Sequence, residues 1–367
     1  MGSPSISVVM SVFNAERFLR EAIESILEQS FRDFEFIIID DGSTDGSSSI
    51  IESYRSSDPR LYVHRQENRG LIESLNLGCG LARGKYIARM DADDIAIRER
   101  FHLQIDFMEA HPEVGVVGGV VEIIDAKGKL ARDQSTVPLD NSDIQRELLE
   151  HSVLWHPTVL MRKSTFVSVG GYRKITDAED FDLWLRIAEQ SHLANLPEVL
   201  LKYRIHPTQI SATKCGKQVL GAIAALNSAM LRRRGSPEPF DFNQAITPAS
   251  LIASGVSEKT LHTTMARSYL TWIRNMYRAG EYSAAIHMFE ILRSARCDRA
   301  ESWIIADSNL WAARAYWHEK KYLLSIIHVG HALIARPVML GRPLKKMLAW
   351  LKMRPRTTVH VSGNSIQ

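Results

Sequence analysis

Short, nearly continuous apolar runs alternate with amphipathic segments over the first 125 residues of the chain. Runs of this kind are typical of parallel strands that helices cover on both faces. The segment between the first two runs carries Phe18, Ala22 and Ile26 near helical spacing. The order strand, helix, strand predicts an open α/β sheet, whose ligands bind beyond the carboxyl ends of the strands. The predicted strands include ISVVMSVF (6–13), FEFIIID (34–40), LYVHR (61–65) and GKYIARM (84–90).

The length of 367 residues is sufficient for two domains. The stretch RRRGSPEPFDFNQAITPAS (232–250) is rich in proline, glycine and polar residues, which is typical of a boundary. We therefore predict an α/β domain over 1–235, with a nucleotide-binding half over about 1–125 and an acceptor half over 126–235. A helical domain is predicted over 236–367.

Two segments of the predicted helical domain resemble each other. RNMYRAGEYSAAIHMFE begins at Arg274 and RAYWHEKKYLLSIIHVG begins at Arg314, an offset of 40 residues. The shared aromatic and small residues fit stacked helix pairs of the tetratricopeptide kind, and they fit two simple helical hairpins equally well. The sequence leaves this choice open.

The end of the chain is strongly basic. From Lys320 onward there are nine Lys or Arg residues and no Asp or Glu, although the net charge of the whole chain is only +3. The segment RPLKKMLAWLKMRPR (342–356) predicts a short helix with an apolar stripe between lysines, begun by Pro343. Such a helix fits an anionic membrane surface, or else packs on the second hairpin with its charges outward. Nucleic acid is not expected as a partner, because no recognition module accompanies the basic stretch.

Cysteine use and hydropathy indicate the compartment. The three cysteines are far apart in sequence, so neither a disulfide framework nor a zinc site is predicted. The first residues contain no basic segment followed by a long apolar run, and no stretch reaches 18 uncharged apolar residues. We expect a cytoplasmic protein that contacts the inner face of the cell membrane through 342–356.

Three carboxylates occupy four positions directly after the predicted strand 84–90, at Asp91, Asp93 and Asp94. Like charges at this spacing repel each other unless a cation lies nearby. Mg²⁺ and Mn²⁺ use one or two carboxylates and fill their other positions with water or phosphate oxygens. In an extended chain Asp91 and Asp93 point to one side and Asp94 to the other. The alternative is a solvated turn in which Asp94 caps the following helix.

A second acidic cluster, DDGSTD (40–45), follows the second predicted strand. Asp40 and Asp41 stand at a strand end, where a carboxylate can accept hydrogen bonds from a base or a ribose, whereas Asp45 fits a helix cap. The chain has no GxGxxG after its first strand and no GxxxxGK[ST]. A glycine loop is therefore not expected to hold phosphate, and a metal ion must do so.

Four further stretches are SVVMSVFNAERFLREAIESILEQSFRDFEFIIIDDGSTDGS, ENRGLIESLNLGCGLARGKYIARMDADD, AEDFDLWLRI and YRIHPTQIS. Together they resemble the family 2 glycosyltransferases, whose catalytic domain has the GT-A fold, a Rossmann-like and mostly parallel sheet with helices on both faces. The resemblance covers residues 5–212 and leaves the helical end of the chain outside it. The sequence has Ala178 where some processive relatives have Thr, and it has no QxxRW, so a processive polymerase is not expected.

The resemblance implies roles for individual residues. It implies that Asp93 binds Mn²⁺ or Mg²⁺ next to Asp91, and that His206 completes the metal shell as in some relatives. It also implies that Asp180 is the acceptor-side base. Glu179 beside it either supports the site without touching the reactants or contacts the donor sugar. The positions that it implies for the nucleotide are Ser11, Phe13, Glu16, Asp40, Asp41, Asn68, Arg69, Gly70, Lys85, Arg89 and Asp91, with Lys85 or Arg89 near phosphate.

Two further residues are candidates for a sugar or acceptor contact. His156 fits the lining of a pocket, although an ordinary histidine at a strand edge is nearly as good an interpretation. Trp184 stands at helical spacing from Leu183 and Ile187, which favours a core position over sugar stacking.

The expected activity is metal-dependent, inverting transfer of a sugar from a nucleotide-diphosphate sugar, with UDP favoured, to a glycan or lipid-linked acceptor. By analogy with the family, the pathway is assembly of a bacterial cell-surface polysaccharide. A divalent cation stabilises the leaving diphosphate, and a carboxylate takes the proton of the attacking hydroxyl. The alternatives are a degenerate transferase that serves as a scaffold, and a phosphohydrolase that uses Asp91 as its nucleophile.

Overall fold

The computed structural model describes residues 3–336 apart from residues 176, 296 and 298–299. The predicted basic helix 342–356 lies outside the described residues. Among the helices that are described, none combines the length and the apolar character that crossing a membrane requires.

The described residues form one nine-stranded sheet. Its strands are β1 (Ile6–Val12), β2 (Phe34–Asp40), β3 (Leu61–Arg65), β4 (Tyr86–Met90), β5 (Ile95–Ala96), β6 (Val114–Ile124), β7 (Leu130–Gln134), β8 (Leu160–Arg162) and β9 (His192–Arg204). The order across the sheet is β3-β2-β1-β4-β8-β6-β9-β5, and β7 pairs with β6. β1 to β4 are parallel, as are β6 and β9, whereas β8 runs antiparallel to both of its neighbours.

The parallel register brings the strand ends together at one edge. Val12 lies opposite Asp40 in β2, and Met10 lies opposite Met90 in β4. All of β1 and β2 is buried except Ser11, which is half-buried, because helices cover both faces of these strands. The α/β class and the four predicted N-terminal strands are confirmed, although the sheet beyond β4 is mixed.

Eight helices of the described residues belong to the α/β part. They are α1 (Leu19–Leu27), α2 (Ser47–Arg55), α3 (Leu71–Leu81), α4 (Arg100–Ala110), α5 (Asn141–Glu147), α6 (Lys163–Ser168), α7 (Glu179–Ile187) and α8 (Ile210–Thr213), with a 3₁₀ turn at His156–Thr158. α3 packs closely on the sheet, because a Cβ at Gly78 would lie 2.5 Å from Val9 Cγ1. This close approach leaves no room for a side chain at position 78.

The rest of the described chain is helical, as predicted. Its helices are α9 (Cys215–Arg233), α10 (Pro248–Ala253), α11 (Glu258–Arg278), α12 (Tyr282–Ser294), α13 (Ser302–His318) and α14 (Tyr322–Ala335). α11 with α12 and α13 with α14 form two hairpins, and α11 also packs against α9. A hydrophobic cluster continues from the sheet into α11, α12 and α13. The division of the chain near residue 235 stays a prediction.

Candidate active site

Two cavities open beside the carboxyl end of β4, and one of them extends to the ends of β1 and β2. The larger cavity has a volume of about 820 Å³, and the smaller cavity has a volume of about 470 Å³. Most of the residues that line both cavities are acidic, so a strip of carboxylates separates the two spaces. The shared lining residues are Leu71, Asp91, Asp93, Asp177, Glu179 and Gln209.

The centre of this strip is the segment between β4 and β5. One carboxylate oxygen from each of Asp91, Asp93 and Asp94 lies within 4.8 Å of the others. Asp94 is buried; its Oδ1 accepts a hydrogen bond of 2.8 Å from the Arg204 backbone N–H, and its Oδ2 has no partner among the described residues. The prediction that Asp94 points away from the other two carboxylates is therefore wrong. α4 begins at Arg100, too far along the chain for Asp94 to cap it.

The acidic segment is unfavourable without a counter-charge. Burial raises the pKa of Asp91, and the charge of Asp93 adds to this rise, while Arg89 opposes it. Burial raises the pKa of Asp94 well above its ordinary value, with further contributions from Asp93 and Asp91. Arg89 is itself buried and pairs with Asp91, and this pairing outweighs burial, so the pKa of Arg89 is raised. Among the described residues, Asp91 is the one carboxylate of the three that forms an ion pair with an arginine.

The end of β9 supports the acidic segment from the other side. Arg204 Nε donates to the Asp93 backbone carbonyl at 2.8 Å. His206 is buried, with its Nε2 2.9 Å from Asp93 Oδ2 and its Nδ1 2.9 Å from Thr208 Oγ1. Clustered carboxylate oxygens with a nearby imidazole and an unpaired buried oxygen form a donor set that suits a hard divalent cation.

The beginning of α7 brings two more carboxylates to the cavities. Glu179 lines both cavities, whereas Asp180 lines the smaller one. Burial, followed by the charge of Asp180, raises the pKa of Glu179 to about 8. Burial also raises the pKa of Asp180, although the backbone N–H of Phe181, which donates to Asp180 Oδ1 at 2.7 Å, works in the opposite direction.

Sequence reasoning missed Asp177, which lines both cavities. Its φ of 56° is left-handed, a conformation that Asp tolerates better than most residues. Lys214 Nζ lies 3.2 Å from its Oδ1, and its buried Oδ2 has no partner among the described residues. The only signal in the sequence is a third acid shortly before Glu179 and Asp180.

Most residues implied for the nucleotide lie on the larger cavity. The Asp41 carboxylate accepts three hydrogen bonds there. One comes from Gln66 Nε2 at 2.7 Å, and the others come from the backbone N–H groups of Arg69 and Gly70 at 2.9 and 2.8 Å. Asp41 thus fixes the turn before α3. The implied residues that line this cavity are Ser11, Phe13, Asp41, Asn68, Arg69, Gly70, Asp91 and Asp93, together with His206.

Three of the residues implied for the nucleotide, Asp40, Glu16 and Lys85, line neither cavity. Asp40 is buried and turned toward α2, where it accepts hydrogen bonds from the Ser43 backbone N–H at 3.1 Å and from the Ser48 hydroxyl. Glu16 Oε2 accepts from the Gly46 backbone N–H at 2.6 Å. Both carboxylates therefore stabilise the loop before α2 and its first turn.

The prediction that Lys85 lies near the phosphate of the nucleotide is wrong. Lys85 precedes β4, so it lies at the opposite edge of the sheet from Asp91, about 20 Å away for six extended residues. There its Nζ pairs with Glu109 at 2.7 Å. Arg89 does line the smaller cavity, but its ion pair is with Asp91.

The two aromatic candidates differ in exposure. His156 lines the smaller cavity, and its Nε2 lies 2.8 Å from the Tyr172 hydroxyl. Burial, helped by the charge of Arg89, lowers the pKa of His156 well below its ordinary value, so the ring is neutral. Trp184 is fully buried and cannot contact a ligand, so its candidate sugar contact is ruled out and the core interpretation is confirmed.

Known proteins similar to this chain are glycosyltransferases. The sequence profile described as "Glycosyl transferase family 2" matches residues 7–170. The putative glycosyltransferase EpsE of Bacillus subtilis is 38% identical over 208 residues, which cover 55% of this chain and 73% of EpsE. The amylovoran biosynthesis glycosyltransferase AmsE of Erwinia amylovora is 36% identical, with 54% and 75% covered. The O-antigen biosynthesis glycosyltransferase WbnJ of Escherichia coli is 32% identical, with 56% and 83% covered.

Proposed function

The chain belongs to glycosyltransferase family 2, and on this premise we propose that it transfers a sugar from a nucleoside-diphosphate sugar to a glycan or lipid-linked acceptor with inversion and with the help of a divalent cation. The observation that carries the proposal is the strip of carboxylates on which two cavities meet. The larger cavity holds the donor, the smaller cavity holds the acceptor, and the reacting atoms meet between them.

The charges around the larger cavity favour a diphosphate. Arg17, Arg69, Lys174 and Lys214 line it, opposite the acidic segment. Lys174 pairs with Glu73 and Lys214 pairs with Asp177. These ion pairs hold the two ammonium groups until an anion enters the cavity. Phe13 is 49% exposed at the same cavity, which leaves a ring face for a nucleobase. UDP is the nucleotide we favour.

The residues that would hold the cation are Asp91, Asp93 and Asp94, with His206 beside them. A bound Mn²⁺ or Mg²⁺ supplies positive charge that stabilises the leaving diphosphate. Arg89 neutralises part of the carboxylate charge through its ion pair with Asp91. Arg204 fixes the segment through its hydrogen bonds to the Asp93 carbonyl and the Asp94 carboxylate. The chain therefore holds the acidic oxygens in place before any ligand arrives.

Asp180 is the base in this proposal, because it lies on the acceptor side of the strip. The acceptor oxygen forms a bond to the anomeric carbon, its proton passes to Asp180, and the bond to the diphosphate breaks with its electron pair on the leaving nucleotide. Attack from the side opposite the leaving group gives inversion. Glu179, with its pKa of about 8, keeps its proton near neutrality and donates a hydrogen bond to the donor sugar.

The relatives AmsE and WbnJ carry the names of amylovoran and O-antigen biosynthesis. We propose a corresponding place for this chain, in the assembly of a bacterial surface polysaccharide. A cytoplasmic position, with the basic end 342–356 against the inner face of the membrane, belongs to the same proposal and would bring the site close to a lipid-linked acceptor.

The test is calorimetric titration of UDP, GDP and dTDP with and without Mn²⁺. The matched variants are Asp93→Ala at the strip and Asp106→Ala, a solvent-exposed carboxylate on α4. We expect one nucleotide to bind in a Mn²⁺-dependent manner to the wild type and to Asp106→Ala but not to Asp93→Ala. Binding of no nucleotide with or without Mn²⁺ would contradict the proposal and favour a scaffold.

A further inference from the structure

The smaller cavity is built from two parts of the chain. Asp180, Trp155 and Tyr203 come from the α/β part, whereas Gln218 on α9 and Trp272 on α11 come from the helices that follow it. The family profile ends at residue 170, so Gln218 and Trp272 lie beyond the segment that it matches. The wall that they form belongs to the helical part of the chain.

The two tryptophans of this cavity are only half-buried. The Trp155 ring packs against Tyr203, with centroids 5.0 Å apart and planes inclined by 53°. Trp272 is carried by a helix whose inner face is fixed in the core through Tyr269, Ile273 and Met276. Both indoles therefore have defined positions and keep exposed surface.

The contrast with Trp184 shows what this exposure means. Trp184 is fully buried and packs in the core, so none of its ring surface can contact a ligand. Trp155 and Trp272 instead expose part of their rings to the cavity that contains Asp180. A volume of about 470 Å³ lies within the range of small-molecule sites, about 300–1,000 Å³.

We propose that Trp155 and Trp272 form a saccharide subsite for the acceptor, which deepens the proposed function and rests on it. One face of a pyranose ring presents C–H groups with partial positive charge, and these dock on the negative face of an indole. Gln218 and His151, which line the same cavity, offer polar groups to the hydroxyls at the rim of the ring. The acceptor hydroxyl then faces Asp180, so the helical part selects the acceptor.

The test uses the full-length chain and saturation-transfer difference NMR in Mg²⁺. The probes are methyl α- and β-glucopyranoside, methyl β-galactopyranoside, methyl N-acetyl-β-glucosaminide and the disaccharides lactose and maltose, with sorbitol as an acyclic control. The variants are Trp272→Ala, Trp155→Ala and Trp272→Phe, and the control is Trp303→Ala on α13, outside the cavity lining. Calorimetry with UDP, GDP and dTDP in Mn²⁺ is run on each protein.

We expect at least one cyclic glycoside, and not sorbitol, to receive saturation at its ring protons in the wild type. Trp272→Ala and Trp155→Ala should each weaken that binding by about tenfold, Trp272→Phe should retain most of it, and nucleotide binding should not change. Unaltered glycoside binding in both alanine variants overturns the proposal, and so does the absence of any glycoside signal in a wild type that binds nucleotide. A wild type that binds glycosides but no nucleotide supports the subsite and contradicts the transferase proposal instead.

Discussion

The larger and the smaller cavity share a wall but differ in how they are built. Most residues that line the larger cavity come from three short segments, 11–18, 68–73 and 91–93, which follow strand ends or begin α3. The smaller cavity combines the α5 region, the turn at 156–158, α7, α9 and α11. Short segments therefore define most of the proposed donor side, whereas contacts between distant parts of the chain define the proposed acceptor side.

A first test of this difference between the two cavities is to remove the proposed base, Asp180. Asp180→Asn preserves shape and deletes the proton acceptor on the side of the smaller cavity. We expect kcat to fall by about 10²- to 10⁴-fold, while Mn²⁺-dependent nucleotide binding stays unchanged. The measurement is steady-state transfer with the donor found by titration, beside calorimetry on the same variant. Loss of nucleotide binding in Asp180→Asn would show that Asp180 serves the donor side and would break the division.

Glu179, which belongs to both cavities, gives a second test through pH. Its pKa of about 8 in the folded chain lies above the ordinary value of 4.5, so between these two pH values the folded state holds a proton that the unfolded state has lost. Stability in the absence of metal should therefore fall as pH rises from about 4.5 to 8, and Glu179→Gln should remove this part of the slope. Denaturant unfolding with a chelator measures it. A wild-type slope identical to that of Glu179→Gln would contradict the assignment.

Lys214 and Lys85 give a third test, with a smaller expected effect, because they lie near opposite ends of the parallel strands. Lys214 lines the larger cavity, and Lys214→Ala should weaken nucleoside diphosphate binding by about fivefold, because a half-exposed cation contributes about 1 kcal/mol. Lys85→Ala, at the far edge of the sheet, should leave binding unchanged. Calorimetry on both variants decides the point. Equal losses in the two variants would mean that only the overall charge matters.

The sequence predicted what short stretches determine. Buried apolar runs and crossovers gave the parallel strands, and the edge at which Asp91 and Asp93 emerge followed from strand direction. Adjacent residues were harder to separate: Asp40 and Asp41 follow one another, yet Asp40 turns toward α2 and Asp41 toward the larger cavity. The misplacement of Lys85 came from ignoring which end of β4 it occupies.

What could not be predicted depends on contacts between distant parts of the chain. Asp94 joins the cluster because Arg204, which is far along the chain in β9, donates to its carboxylate. His206 was placed near Asp93 by family resemblance alone. Trp272 reaches the smaller cavity only because α11 packs against α9, and no local pattern in the sequence indicates that packing. The position of Asp177 depends on its own left-handed backbone conformation, which the sequence does not reveal.

The central claim is that a metal-bound nucleotide occupies the larger cavity and leaves the smaller one free for an acceptor. Anomalous diffraction from crystals soaked with Mn²⁺ and the nucleotide chosen by titration tests it directly. We expect one manganese peak among Asp91, Asp93 and Asp94, diphosphate density on the side of Lys214, and no nucleotide density beside Trp155. Nucleotide density in the smaller cavity, or manganese bound away from the three carboxylates, would contradict it.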